Sequence, residues 1–168
     1  CTTKCKRVVE VKDSPFGTVE PIFGGPEYES LATLGSYVEV GEMEAVLKAN
    51  EVCNRYGLDT ISAGATVAWA MEAYEKGLLP AEYTDGLDLR FGNGHALVAA
   101  LEALAERRGK LGNLLAEGSD HAAHILGNGA DQFLITVKGQ EAPAHMPHVK
   151  RSLALLYAVN PYGADHMS

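Results

Sequence analysis

The stretch from residue 51 to 62 constrains the fold more than any other part of the chain, because one helix ends there and another begins. Apolar residues recur at helical spacing on both sides of it. Gly57, between the two runs, tolerates the left-handed conformation that commonly terminates a helix. The sequence therefore predicts helices over about 41–56 and 60–76, and their apolar faces favour packing as an antiparallel pair.

The turn between these helices also collects polar groups that suit a ligand. Asp59 or Thr60 can cap the second helix, whose first backbone N–H groups have no partner within it. Asn54 and Asp59 bring two side-chain acceptors to the same place. A ligand rich in N–H donors or in negative charge would fit there. A capped helix–turn–helix without a ligand explains the same residues, since capping by Asp or Thr is common.

Composition limits the classes of function. The chain of 168 residues carries a formal charge of −8, which argues against nucleic acid as a partner because a phosphate-binding surface must be basic. No run approaches the roughly 20 apolar residues of a membrane span. The three cysteines, at positions 1, 5 and 53, are an odd number and do not suggest a disulfide framework. A reducing compartment, and so a cytoplasmic protein, is expected.

The rest of the chain also predicts a mainly α fold, a helical domain with one or two short strands. Gly109 is expected to stop the helix predicted over about 95–108. Composition shifts near residue 138, so we expect one segment over 1–137 and the start of another domain over 138–168. Further helices are predicted over about 28–34, 95–108, 111–116, 119–126 and 149–159, and a strand over 132–137.

Two carboxylates flank the start of the first predicted helix. Glu27 and Glu29 follow a mobile glycine turn at residues 24–25. Acidic residues are favoured in a first helical turn by the helix dipole, so simple capping explains them. The functional alternative is a carboxylate poised for proton transfer.

The histidines offer a weaker signal. His121 and His124 are three residues apart on a predicted helix and form a possible metal face, although two histidines alone seldom make a site. His145 and His148 lie in a proline-rich loop and are expected to be solvated. His166, near the end of the chain, is one more group that titrates near neutral pH.

Six blocks of sequence together resemble one known family, the tungsten-containing aldehyde:ferredoxin oxidoreductases, in their C-terminal part. They cover nearly the whole chain in the family's order, which is far more specific than any one block. The blocks are residues 25–29, 49–62, 84–93, 112–118, 137–143 and 163–166.

The resemblance implies a cofactor, a tungsten ion held between two molybdopterins. In the family, each pterin is bound by a motif Asp-x-x-Gly-Leu-Asp or Asp-x-x-Gly-Leu-Cys. Residues 54–59 read Asn-Arg-Tyr-Gly-Leu-Asp, so Asn54, Gly57, Leu58 and Asp59 are the implied cofactor-binding residues. A pterin edge carries several N–H donors, which agrees with the acceptors found at the turn. Asn54 in place of the leading Asp keeps one acceptor and loses the charge.

The resemblance also implies a [4Fe–4S] cluster. Its family motif is Cys-x-x-Cys-x-x-x-Cys, and Cys1 and Cys5 fit the last two members. Two thiolates cannot hold a four-iron cluster alone. The chain is therefore expected to be an internal fragment of a longer protein that supplies the other ligands. Cys53 lies outside this pattern and is expected to be a buried helix residue.

The implied reaction is the oxidation of a small aldehyde to a carboxylic acid, with ferredoxin as the electron acceptor. The implied catalytic residues are Glu29, with Glu27 as the alternative, and His166. A carboxylate can accept protons, and a histidine can donate a hydrogen bond to an oxygen at the metal or on the substrate. Expected partners are ferredoxin, the remainder of the parent polypeptide and a second copy in a homodimer. The alternatives are an inert helical fragment and a relative that reduces acids or aromatic thioesters.

Overall fold

The computed structural model describes residues 2–3 and 7–167, and within them the fold is mainly α, as predicted. The helices are α1 (Tyr28–Leu34), α2 (Met43–Tyr56), α3 (Thr60–Glu75), α4 (Gly94–Glu106), α5 (Gly109–Leu115), α6 (Ser119–Leu126) and α7 (Arg151–Val159). Two strands, β1 (Thr136–Val137) and β2 (Gln140–Glu141), pair antiparallel with Thr136 opposite Glu141. No helix in this described part is both long and apolar enough to span a bilayer.

Helix α3 is the central element, which corrects the expected helix pairing. Its sequence is apolar on almost every side, the pattern of a helix surrounded by protein. Val67, Ala70 and Met71 have no exposed surface. Helix α3 packs chiefly on α1, and α2 packs chiefly on α4. The predicted pairing of α2 with α3 is only a minor contact, because α3 offers apolar surface to several neighbours at once.

The packing of α1 on α3 fixes the position of Glu29, one of the two carboxylates predicted at the start of α1. Gly64 makes the close approach possible, since a Cβ there would lie 2.7 Å from the carbonyl oxygen of Thr33. The Thr33 hydroxyl donates to the carbonyl of Thr60 at 3.0 Å, and the hydroxyls of Ser30 and Thr60 are 2.9 Å apart. The start of α1, which carries Glu29, is therefore held beside the start of α3.

Some predicted elements differ from the structure. The predicted strand over 132–137 is wrong for most of its length, because Ala130–Phe133 forms a short 3-10 helix and only Thr136–Val137 is a strand. The indole N–H of Trp69 donates to the carbonyl of Ala130 at 3.0 Å, a tertiary contact that local alternation does not reveal. Helix α4 ends at Glu106, and its C-cap Arg107 takes a left-handed conformation, so Gly109 begins α5 rather than stopping α4.

Two clusters of buried apolar residues lie within the described residues. The larger one is built from α1 to α6 and the segments between them. The smaller one comprises Ala142, Leu153, Tyr157 and Ala164. The Tyr37 hydroxyl, from the segment between α1 and α2, donates to the carbonyl of Ala142 in the smaller cluster at 3.2 Å. The division at residue 138 stays a prediction.

Candidate cofactor cleft and its carboxylate–histidine corner

One cleft of about 790 Å³ brings the turn after α2 together with the last residues of the chain. Its volume lies in the range of small-molecule sites. The cleft is lined by Phe23, Gly25, Glu27, Tyr28, Glu29, Ser30, Asn50, Asn54, Leu58, Asp59, Thr60, Ile61, His145, His166 and Met167. Five of the predicted site residues, Glu29, Asn54, Leu58, Asp59 and His166, therefore share one cavity.

The turn has the conformation that its residues predict. Gly57 ends α2 in the left-handed region, with φ of 71°, and open space lies on the side where a Cβ would stand. Asp59 is the N-cap of α3 and accepts from the backbone N–H groups of Ile61 at 3.4 Å and Ser62 at 2.9 Å. Each carboxylate oxygen has two acceptor sites, so capping leaves Asp59 able to accept from a ligand as well.

Asn50 and Asn54, one helical turn apart on α2, give the cleft a mixed donor and acceptor character. Asn54 donates from Nδ2 to the carbonyl of Asn50 at 2.8 Å, which leaves its Oδ1 to accept. Asn50 is 2% exposed, and its Nδ2 has no hydrogen-bond partner among the described residues. An unpaired buried donor costs about 1–3 kcal/mol, and a ligand acceptor in the cleft would remove that cost. These residues fit a pterin, whose edge has both donors and acceptors.

The two carboxylates at the start of α1 have different surroundings. The side chain of Glu27 is 63% exposed and forms an ion pair of 2.7 Å with Arg7. Glu29 is only 9% exposed, and its Oε2 accepts from the backbone N–H of Ala144 at 2.8 Å. Its Oε1 is hydrogen-bonded to Nδ1 of His145. Glu29 is therefore the carboxylate that the fold buries and orders.

The buried Glu29 carboxylate influences its neighbours. Burial, and next the nearby negative charge of Glu29, raise the pKa of Tyr37 to about 12. The same two causes, with Asp165 as a third, raise the pKa of Tyr157. Both phenols therefore stay neutral at physiological pH and act as hydrogen-bond donors. The Tyr157 hydroxyl donates to the carbonyl of His145 at 2.8 Å.

Two histidines complete a carboxylate–histidine corner, which we define as Glu29, His145 and His166. The rings of His145 and His166 stack, with centroids 4.6 Å apart and planes 18° from parallel. One ligand atom of each of the three residues lies within 4.8 Å of the other two. One carboxylate and two imidazoles form a donor set that can bind a divalent metal or exchange protons with a substrate.

His145 is only partly solvated, because its Nδ1 is hydrogen-bonded to Glu29. Since 116 residues separate the two, nothing local signals their contact. Sequence reasoning missed Asn50 too, although its spacing of four residues from Asn54 places both on one helix face. His148 is exposed, as expected. His121 and His124 are exposed and belong to no cluster of three close ligand atoms among the described residues.

The cysteines divide into two cases. Cys53 is fully buried in α2, as predicted, and burial, followed by the charge of Asp59, raises the pKa of its thiol to about 12. Cys1 and Cys5, the predicted cluster ligands, lie outside the described residues.

Comparison with known proteins agrees with the resemblance found in the sequence. The whole chain, residues 1–168, matches the family model described as "Aldehyde ferredoxin oxidoreductase, domains 2 & 3". The chain belongs to the aldehyde ferredoxin oxidoreductase family. The predicted family membership is thus confirmed, and the helical fold is the one expected for this part of the family.

Individual relatives of this family member support the same conclusion. The tungsten-containing aldehyde ferredoxin oxidoreductase of Thermococcus kodakarensis is 39% identical over 99% of this chain and 26% of its own length. The aliphatic sulfonate oxidoreductase WOR-like subunit of Pyrococcus furiosus is 29% identical over 100% of this chain and 27% of its own length. The chain thus spans about a quarter of the length of these curated relatives.

A solved structure also resembles the chain. The active-site complex BamBC of benzoyl coenzyme A reductase, bound to 1,5-dienoyl-CoA, superposes with a TM-score of 0.62 and 28% identity. The match covers 70% of this chain and 18% of the other. The family fold thus extends to a protein that handles a coenzyme A thioester.

Proposed function

We propose that this chain forms part of a tungsten–bis(molybdopterin) oxidoreductase, and that the cleft at the Gly57 turn holds one pterin. One observation carries the proposal: the Asn-Arg-Tyr-Gly-Leu-Asp turn and the carboxylate–histidine corner open into the same cleft. A cofactor bound at the turn would therefore stand beside ordered proton-handling groups. The similarity to the tungsten-containing enzyme of Thermococcus kodakarensis supports the choice of metal.

The cleft residues divide the binding of the pterin between them. Oδ1 of Asn54 and the carboxylate of Asp59 accept from pterin N–H groups, and Nδ2 of Asn50 donates to a pterin acceptor. Gly57 leaves space in which a side chain would otherwise stand. When bound, the tungsten cofactor supplies the two-electron redox chemistry. Cys1 and Cys5 supply two ligands of a [4Fe–4S] cluster, and the remainder of the polypeptide supplies the others.

The proposed reaction is the oxidation of a small aldehyde to its carboxylic acid with water, the electrons passing to ferredoxin. Glu29 supplies the negative charge that favours removal of a proton from water or from the hydrated aldehyde. His166 donates a hydrogen bond to the substrate oxygen. Both residues line the cleft, and a ligand atom of each lies within 4.8 Å of the other, which supports these roles.

The chain covers about a quarter of its relatives, so the proposed enzyme is a longer polypeptide that contains it. Its partners are ferredoxin and a second copy in a homodimer, and its compartment is the cytoplasm. The net charge of −8 stays consistent with protein and small-molecule partners rather than nucleic acid.

The structural match to BamBC favours a second candidate reaction, the reduction of an acid or an aromatic thioester with the same cofactor. The same cleft and the same carboxylate–histidine corner would serve it, with protons delivered rather than removed.

The test uses the purified full-length protein. Tungsten, iron and pterin are quantified, and viologen reduction is then assayed with a panel of aldehydes. All three components bound together with viologen reduction by at least one aldehyde supports the proposal. Bound cofactor without activity on any aldehyde contradicts aldehyde oxidation and favours the reductive candidate. Absence of all three components contradicts the proposal and favours an inert helical domain.

A further inference from the structure

We propose that His145, oriented by Glu29, is the group that exchanges the substrate proton in the cleft, an inference that rests on the proposed function. Glu29 then acts as a positioning residue rather than as the base that touches the substrate. The two residues form a carboxylate–histidine pair, called here the Glu29–His145 dyad.

The hydrogen bonds around Glu29 assign the direction of the contact with His145. An ionised carboxylate only accepts hydrogen bonds. Its Oε2 accepts from the backbone N–H of Ala144 at 2.8 Å, and Nδ1 of His145 lies at Oε1. Nδ1 must therefore carry the proton. In the neutral ring this leaves Nε2 unprotonated, and Nε2 makes no hydrogen bond to any residue that the structure describes.

Contacts to both the backbone and the ring of His145 order this residue. Tyr157 fixes the backbone by donating to the carbonyl of His145 at 2.8 Å. Tyr28 contacts the ring edge with centroids 5.5 Å apart, and His166 stacks on its face. The ring nevertheless lines the cleft, and its side chain is 39% exposed. An ordered ring that lines a cavity and keeps one nitrogen without a protein partner suits proton transfer.

Glu29 is less suited to direct contact with a substrate. It is 9% exposed, because the Ala144 backbone and the His145 ring, both hydrogen-bonded to it, cover most of its surface. A carboxylate in this position holds the tautomer and orientation of an imidazole and stabilises the imidazolium that forms when the ring accepts a proton.

With a hydrated aldehyde as the substrate, His145 takes the proton of one hydroxyl group. The O–H bond of one hydroxyl breaks and its proton goes to Nε2 of His145. The electron pair of that bond forms the C=O of the carboxylic acid. The C–H bond breaks and its proton passes to solvent; the tungsten cofactor of the proposed function would accept the two electrons of that bond. For the reductive candidate the same nitrogen returns a proton to the substrate.

The first test compares His145→Ala with His148→Ala in the full-length protein. His148 lies in the same loop and is exposed, so it is a matched control. We expect His145→Ala to lower kcat by about 10²- to 10⁴-fold while the tungsten content is unchanged. Added imidazole should restore part of the activity by occupying the vacated space. His148→Ala should retain full activity.

Other outcomes overturn the proposal. Activity of His145→Ala within a few-fold of the wild type excludes His145 as the proton-exchanging group. Lost activity that imidazole does not restore, or lost tungsten, shows a structural role only.

A second test does not depend on any substrate. Diethyl pyrocarbonate acylates unprotonated imidazole nitrogens, and the Glu29 carboxylate at Nδ1 holds the tautomer in which Nε2 is that nitrogen. We expect His145 of the cofactor-free full-length protein to be labelled at pH 8, and the rate to fall in Glu29→Gln while labelling of His148 is unchanged. No labelling of His145, or equal rates in the two proteins, contradicts the dyad. A silent aldehyde panel with labelling as expected contradicts the proposed reaction alone.

Discussion

Asn54 donates a hydrogen bond of 2.8 Å from its Nδ2 to the backbone carbonyl of Asn50, one helical turn earlier on α2. This contact uses one N–H of the Asn54 amide within the helix and leaves Oδ1 as the acceptor for a ligand. The position where the family motif has a carboxylate therefore offers a single neutral acceptor here.

Asn54→Asp should strengthen cofactor binding and lower the thermal stability of the cofactor-free protein. A charged acceptor gains about 1 kcal/mol over a neutral one in a hydrogen bond to an N–H donor, or about fivefold in retention. The same charge near the C-terminal end of α2 opposes the helix dipole by about 0.3–1 kcal/mol. The amounts of tungsten and pterin retained after extensive dialysis of the full-length protein would measure the gain in binding. Thermal unfolding of the cofactor-free protein would measure the loss of stability.

Asn128→Asp is the control for added charge, since Asn128 is exposed and outside the cleft. Equal cofactor retention in Asn54→Asp, Asn128→Asp and the wild type would contradict the role assigned to Asn54.

Asn50→Leu should change the two forms of the protein in opposite directions. Replacing an unpaired buried donor by an apolar group removes a cost of about 1–3 kcal/mol, so the cofactor-free protein should become more stable. The cofactor-bound protein loses a hydrogen bond to the pterin and should retain less tungsten. Thermal unfolding of both forms, with metal analysis, checks this crossover. Unchanged tungsten retention alongside higher cofactor-free stability would show that Asn50 does not contact the cofactor.

Glu51 should make the stability of the chain dependent on acid pH. It is fully buried in α2 and accepts from Arg55 at 2.6 Å, from the backbone N–H of Glu20 at 3.0 Å and from Lys48 at 3.2 Å. Burial alone would raise the pKa of Glu51, but the hydrogen bonds from Arg55, Glu20 and Lys48 together lower it below its usual value. A lowered pKa in the folded state stabilises the fold above the usual carboxyl pKa of about 4.3, and this contribution is lost as the pH falls through the folded pKa.

Glu51→Gln should therefore lower the free energy of unfolding of the 168-residue chain by about 1.5–3 kcal/mol at pH 7 and by much less below the folded pKa. Urea unfolding across this range measures the difference. Glu44→Gln, which changes an exposed carboxylate on the same helix, should have little effect at either pH. A Glu51→Gln deficit that is independent of pH would contradict the assigned electrostatics.

Cys53 should resist alkylation in the folded protein. Its thiol is fully buried and its pKa is raised to about 12, so almost no thiolate is present at pH 8. Iodoacetamide labelling, followed peptide by peptide with mass spectrometry, should modify Cys53 only after unfolding in urea. Rapid labelling of Cys53 in the native protein would show that α2 opens far more readily than its packing implies.

The turn at Gly57 and Asp59 could be predicted from the sequence, whereas the contact between Glu29 and His145 could not. Gly57 and Asp59 act through the backbone of their own turn, so their residue types alone indicated both the helix end and the cap. His145 reaches Glu29 across 116 residues through the folding of a loop, which no periodicity encodes.

The errors in the fold have a similar origin. Phe133 alternates with other apolar residues as in a strand, but it lies at the end of a short 3-10 helix. The carbonyl of Ala130 in that helix accepts a hydrogen bond from Trp69. Tertiary contacts overrode the local pattern there. The chain takes a left-handed conformation at Arg107, two residues before Gly109, which also has a positive φ.

The position of tungsten in crystals of the full-length protein tests the central claim most directly. Anomalous diffraction recorded at a tungsten absorption edge locates the metal independently of any assumed structure. The proposed function predicts a peak inside the cleft, between the turn at residues 57–59 and the corner formed by Glu29, His145 and His166. A tungsten peak elsewhere, with Asn54 and Asp59 facing bulk solvent, would contradict it.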